Sequence, residues 1–85
     1  MPQITVYSGS GCPYCDRAKL LLKKKGVAFD EIDVRADAAE MTKMIEKAKG
    51  KRTIPQIFIG ETHIGGCDDL YALDAAGKLD ALLAG

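Results

Sequence analysis

The stretch that decides the fold is Ser8-Gly9-Ser10-Gly11-Cys12-Pro13-Tyr14-Cys15-Asp16-Arg17-Ala18. Before it, Gln3-Ile4-Thr5-Val6-Tyr7 alternates and is β-rich, so it reads as a first strand. Ser8 to Gly11 is a loop. Pro13 suits the first turn of a helix, where a missing N–H costs nothing. The helix runs to about Lys25, with Cys15, Ala18, Leu21 and Leu22 as its apolar stripe. Lys23, Lys24 and Lys25 fall in the last turn, where cations complement the dipole, and Gly26 is a C-terminal cap.

A second strand spans Val27 to Val34, half polar and so near a sheet edge. A helix from Ala38 to Lys49 buries Met41, Met44, Ile45 and Ala48, and Gly50 ends it. Gln56-Ile57-Phe58-Ile59 is an apolar strand, Gly60-Glu61 a two-residue hairpin turn, and Thr62-His63-Ile64 the returning strand. A last helical region starts near Asp68, carries Leu70, Leu73, Leu79, Leu82 and Leu83, and is interrupted around Gly77. The order is β-α-β-α-β-β-α. It predicts an α/β fold: a four-stranded mixed sheet whose opening strand–helix–strand unit makes a right-handed crossover, with helices on both faces.

The chain has 85 residues, which predicts one domain over residues 1–85. A domain of this size buries roughly 60–65% of its unfolded surface. No run approaches the ~20 apolar residues that cross a bilayer. Met1-Pro2-Gln3-Ile4 lacks the basic and apolar regions of a secretory leader. Twelve basic residues balance twelve acidic ones, which argues against a nucleic-acid partner. Lys23-Lys24-Lys25 and the run from Lys49 to Arg52 read as solvated helix ends. Three cysteines are too few, and the wrong parity, for a disulfide scaffold. Two of them form a C-x-x-C pair, which points to redox or metal chemistry in a reducing, cytoplasmic compartment.

In that pair the positions are not equivalent. Cys12 sits at the helix start, facing free backbone N–H groups and the positive end of the dipole, which favours its thiolate. Cys15 lies on the apolar stripe and ionises less readily. Cys12 is therefore the attacking sulfur and Cys15 the resolving one. The competing reading is a zinc knuckle. Cys12, Cys15, Cys67 and His63 supply four ligands, but no second paired spacing supports it. His63 alone reads as a strand residue facing solvent. Thr53-Ile54-Pro55 places a proline at the first position of a strand. Gly65-Gly66-Cys67-Asp68-Asp69 leads into a helix N-terminus, which can hold an anion or simply use an aspartate as its cap.

Taken together, these pieces resemble the glutaredoxin family. Cys12-Pro13-Tyr14-Cys15 matches its dithiol signature, Thr53-Ile54-Pro55 its Thr-Val-Pro element, and Gly65-Gly66-Cys67-Asp68-Asp69 its Gly-Gly-Cys-Asp-Asp element. The likeness covers nearly the whole chain and is greatest to the short bacterial dithiol class. It implies a thioredoxin fold and a glutathione-dependent thiol–disulfide oxidoreductase acting on protein disulfides and protein–glutathione mixed disulfides. Glutathione would be the co-substrate, with no tightly bound cofactor, no metal, no membrane partner, and a monomer in solution. By resemblance, Pro55 is cis and faces the thiols. Tyr14 flanks glutathione, Thr53 and Ile54 offer backbone contacts to its cysteinyl part, and Gly66, Cys67, Asp68 and Asp69 hold its γ-glutamyl end.

One departure stands out. Members commonly carry Lys three residues before the first cysteine, where this chain has Gly9. Lys51 or Arg52 is the expected replacement. Pro13 argues against an iron–sulfur carrier, since cluster binders of the family usually have Gly there. The glutathione-site motifs argue against a redoxin served by a thioredoxin-reductase-type flavoenzyme.

Overall fold

The structure is a computed structural model and describes residues 2–85. Its elements are β1 (Ile4–Ser8), α1 (Pro13–Lys24), β2 (Asp30–Asp33), α2 (Ala38–Lys47), β3 (Gln56–Ile59), β4 (Thr62–Gly65), α3 (Cys67–Ala75) and α4 (Leu79–Ala84). The strands lie in the order β2-β1-β3-β4. β1 pairs parallel with β2 and antiparallel with β3, and β3 pairs antiparallel with β4. This is the expected mixed sheet, and the last helical region divides in two around Gly77.

Strand alternation divides the core. Ile4 and Val6 of β1 and Ile57 and Ile59 of β3 face one way. There they meet Ala18, Leu21 and Leu22 of α1, Cys67 and Leu70 of α3, and Leu79 and Leu83 of α4. Tyr7 and Phe58 face the other way and pack on Met44 with Ala48, which follows α2, and Val34. Their rings meet edge to face, with centroids 5.7 Å apart. Helices thus cover both faces. β1 is central, so its C-terminal end and the loop after it emerge in the middle of the molecule.

Two expected elements are shorter in the structure. Residues 27–29 are not strand, and β2 begins at Asp30, opposite Thr5. Continued in this register, Phe29 would face Ile4, Ala28 would face Gln3, whose carbonyl accepts from Gly60 N at 2.7 Å, and Val27 would face Pro2, which has no N–H. Val27 and Phe29 pack on the core instead. α2 ends at Lys47, because Lys49 and Gly50 take positive φ and Gly50 N turns back to the Ile45 carbonyl. Its start is capped by Asp37, whose carboxylate accepts from Ala39 N at 2.9 Å. β4 gains Gly65 and bulges against β3, since Ile57 faces Gly65 while Phe58 faces His63.

Candidate active site

The site begins at the end of β1. Cys12 is the N-cap of α1, in extended conformation, with Pro13 at the first helical position. Its sulfur accepts the Cys15 N–H at 3.2 Å. Cys12 and Cys15 form a disulfide with Cα atoms 5.2 Å apart. Cys12 keeps 7% exposure and Cys15 has none. The helix start therefore gives Cys12 alone a free N–H and the positive dipole end. Both stabilise an anionic sulfur. The apolar stripe keeps Cys15 away from water.

Two chain segments close around this loop. The Ile54–Pro55 bond is cis. A side chain at Gly9 would lie 2.9 Å from Ile54 Cδ1, so the two loops touch there. A Cβ on Gly66 would meet the Pro55 carbonyl at 3.5 Å. A cleft of about 310 Å³ runs between these segments. Tyr14, Thr53, Ile54, Pro55, Gly66, Cys67, Asp68 and Asp69 all line it. The residues of the two distant motifs, Gly65 excepted, are thus brought together beside Tyr14, which stands 55% exposed. Cys12 lies outside the cleft wall proper, at the N-cap next to Tyr14.

The N-terminus of α3 forms one end of the cleft. Asp69 turns back and accepts Gly66 N at 3.0 Å, so it is a cap. Asp68 is exposed on the cleft. Cys67 is a free, buried thiol, and burial, with Asp68 adding to it, pushes its pKa up. A protonated buried thiol is a poor nucleophile. Among the described residues, no group of three His, Cys, Asp or Glu could hold a metal ion.

His63 requires a correction. It does not face solvent but stacks on Phe58, with centroids 4.8 Å apart and planes 24° apart. Its Nε2 lies 2.6 Å from Gln56 Oε1. Gln56 Nε2 in turn donates to the Thr53 carbonyl at 3.0 Å and to Thr53 Oγ1 at 3.1 Å. With its amide nitrogen committed to Thr53, Gln56 presents its oxygen to His63, so His63 Nε2 carries the proton. Desolvation lowers the His63 pKa, with nearby Lys51 contributing. The shared edge of β3 and β4 thereby pins the Thr53 turn. Sequence reasoning missed Gln56. A fully polar side chain inside an apolar strand, directly after Pro55, was the signal for it.

The cations also fall differently from expectation. Lys51 lines the cleft, and Arg52 is not part of its wall. The side chain against Gly9 is Arg35, which no local pattern marks. Val34 N donates to the Ser8 carbonyl at 2.9 Å, so the connection from β2 to α2 runs alongside the Cys12 loop. Asp33 then accepts from Arg35 N at 2.9 Å and Ala36 N at 3.1 Å, which turns the chain. The Arg35 guanidinium donates to the Ser10 carbonyl.

A thioredoxin-like sheet with an N-capping cysteine and a buried partner one turn on, its preceding loop touched by the Ile54–Pro55 segment, defines a thiol–disulfide oxidoreductase. The comparisons narrow this class. The family profile described as Glutaredoxin matches residues 4–64. Glutaredoxin 3 of Escherichia coli K12 is 54% identical over 83 residues, covering 98% of this chain and 99% of its own. The solution structure of glutaredoxin from Brucella melitensis is 54% identical with a TM-score of 0.85, covering 98% of this chain and 89% of that one. A buckwheat glutaredoxin–glutathione complex superimposes with a TM-score of 0.88 at 32% identity, covering 98% and 77%. The chain belongs to the glutaredoxin family.

Proposed function

We propose that this chain, working as one domain in a reducing cytoplasm, uses glutathione to reduce protein disulfides and protein–glutathione mixed disulfides. The observation that carries the reading is the inequality of the two sulfurs that flank Tyr14 beside the cleft. Cys12 is the N-cap and Cys15 is wholly buried. The Cys12 thiolate attacks the glutathione sulfur of a mixed disulfide. The protein sulfur leaves as a thiolate and takes a proton from water, and Cys12 becomes glutathionylated. A second glutathione thiolate attacks that glutathione sulfur, releasing glutathione disulfide and the Cys12 thiolate. On protein disulfides, Cys15 instead resolves the mixed disulfide between Cys12 and the substrate protein. The resulting Cys12–Cys15 bond is then reduced by two glutathiones. A potential of roughly −200 to −230 mV suits that exchange.

The cleft supports glutathione as the thiol because it offers unlike groups along one wall. The Thr53 turn supplies backbone donors and acceptors for an extended peptide. The α3 N-terminus supplies free N–H groups for a carboxylate. Lys51 and Asp68 supply opposite charges for a zwitterionic ligand. The test is a glutathione-coupled assay on single cysteine variants. Cys12→Ser abolishes turnover of both substrate types. Cys15→Ser loses protein-disulfide reduction and keeps deglutathionylation. Equal loss in both variants overturns the assigned roles.

A further inference from the structure

Gly9 and Arg35 are 26 positions apart and share one space. A Cβ placed on Gly9 would lie 2.6 Å from Arg35 Cδ and 2.8 Å from Arg35 Cγ. Position 9 has no side chain because the Arg35 stem occupies its place. Beyond the stem, the guanidinium donates to the Ser10 carbonyl, and its Nη1 lies 3.9 Å from where a Gly11 Cβ would be. Ser10 and Gly11 are the two residues before Cys12. We propose that Arg35 is the positioning residue of the attacking cysteine: it clamps the loop before Cys12 and holds a full positive charge beside it. The proposal rests on the reading of Cys12 as the nucleophile.

The physical case has two parts. A loop rich in Gly and Ser has many conformations, and one guanidinium contact to a carbonyl of that loop removes most of them. The guanidinium of Arg carries its charge over the whole working range, so the same contact places a cation against the two residues that precede Cys12. The other charges nearby are largely engaged. The Asp33 carboxylate accepts from two backbone N–H groups, and Asp16, one turn into α1, lies 3.5 Å from Lys19 Nζ. Lys51, Asp68 and Asp69 belong to the cleft wall.

The experiment measures the pH dependence of Cys12 alkylation by iodoacetamide in the reduced Cys15→Ser protein, which requires no glutathione activity. Arg35→Gln is expected to raise the apparent Cys12 pKa by about half a unit, as loss of a nearby opposite charge requires. Arg35→Lys restores most of the shift. Gly9→Ala, which forces Arg35 out, raises it similarly in the parent and adds little once Arg35→Ala is present. Superimposable profiles for the parent and Arg35→Gln, with unchanged circular dichroism, overturn the proposal. So does a Gly9→Ala effect of equal size with and without Arg35, which would assign the strain to Ile54. Should Arg35→Gln fail to fold, Gly9→Ala in the parent decides the matter, and an unchanged Cys12 profile there overturns the proposal. The two readings fail separately: a normal Arg35 shift in a protein without glutathione activity overturns only the proposed function.

Discussion

At the scale of single residues, the chemistry depends on which polar groups have partners. Cys12 has one N–H at its sulfur and a helix end beneath it, and Cys15 has neither water nor a partner charge. Gln56 shows the same logic in the frame around the site. It is 1% exposed, and its amide joins His63 to both oxygens of Thr53. Gln56→Leu keeps the volume but leaves the Thr53 carbonyl and the His63 Nε2–H without partners. We expect a loss of about 1–3 kcal/mol in urea unfolding, the usual cost of buried unsatisfied groups. A raised KM for glutathione should accompany it, because the Thr53 turn is then free to move. The residue types at the site were legible beforehand: Cys12, Cys15, Tyr14 and both distant motifs converge as their order suggested. Gln56 and His63 were not, because hydrogen bonds between neighbouring strands leave no periodic trace in the chain.

At the scale of elements, the helix ends place the site and the strand ends limit it. α1 begins at the redox pair because Pro13 needs no N–H partner. α3 begins at the cleft because Asp69 returns to cap Gly66. The break between α3 and α4 is equally local. Gly77 adopts φ +73°, its N–H bonds the Asp74 carbonyl at 3.0 Å, and Lys78 N bonds the Leu73 carbonyl at 2.9 Å. Gly77→Ala introduces a Cβ into that left-handed conformation. It should cost about 1 kcal/mol in thermal or chemical unfolding with glutathione kinetics unchanged, since α4 lies outside the cleft. A stabilised variant would contradict the cap. The second strand was overdrawn in the sequence because Val27 and Phe29 carry β propensity. In the structure both side chains pack on the core while their backbone stays outside the ladder, and Val27 falls opposite Pro2, which has no N–H to give.

At the scale of the whole molecule, ion pairs tie α1 and its C-cap Lys25 to elements on either side. Lys19 lies 2.7 Å from Glu31 on β2, and Lys25 lies 2.6 Å from Asp74 on α3 and 2.9 Å from Asp80 on α4. The Lys19 bond, with Ser8 as second donor, holds Glu31 below its usual 4.5, and burial holds His63 below 6.5. Both groups bind more protons when unfolded, so stability falls as pH drops, first below about 6.5 through His63 and then below about 4.5 through Glu31. Glu31 raises Lys19 above 10.5, and Asp74 raises Lys25, so their contributions are complete below 10.5 and lost at higher pH. Burial likewise raises Cys67 above 9.0, so urea midpoints should be flat from about pH 7 to pH 9 and decline on both sides. Glu31→Gln should remove under ~1 kcal/mol at pH 7, because Glu31 is 44% exposed and water screens the pair. A midpoint unchanged from pH 7 to pH 4 would refute the coupling. The sequence by itself determined the element order, the mixed sheet, the two faces and the inequality of the two cysteines. Each of these follows from local periodicity, from a proline at a helix start, or from a cap. Only the tertiary structure decided that Arg35, and not Lys51 or Arg52, lies against Gly9. Nothing in the covalent neighbourhood of either residue encodes that contact. It exists because β2 pairs with β1 and carries the turn at Asp33 past the loop that ends at Cys12.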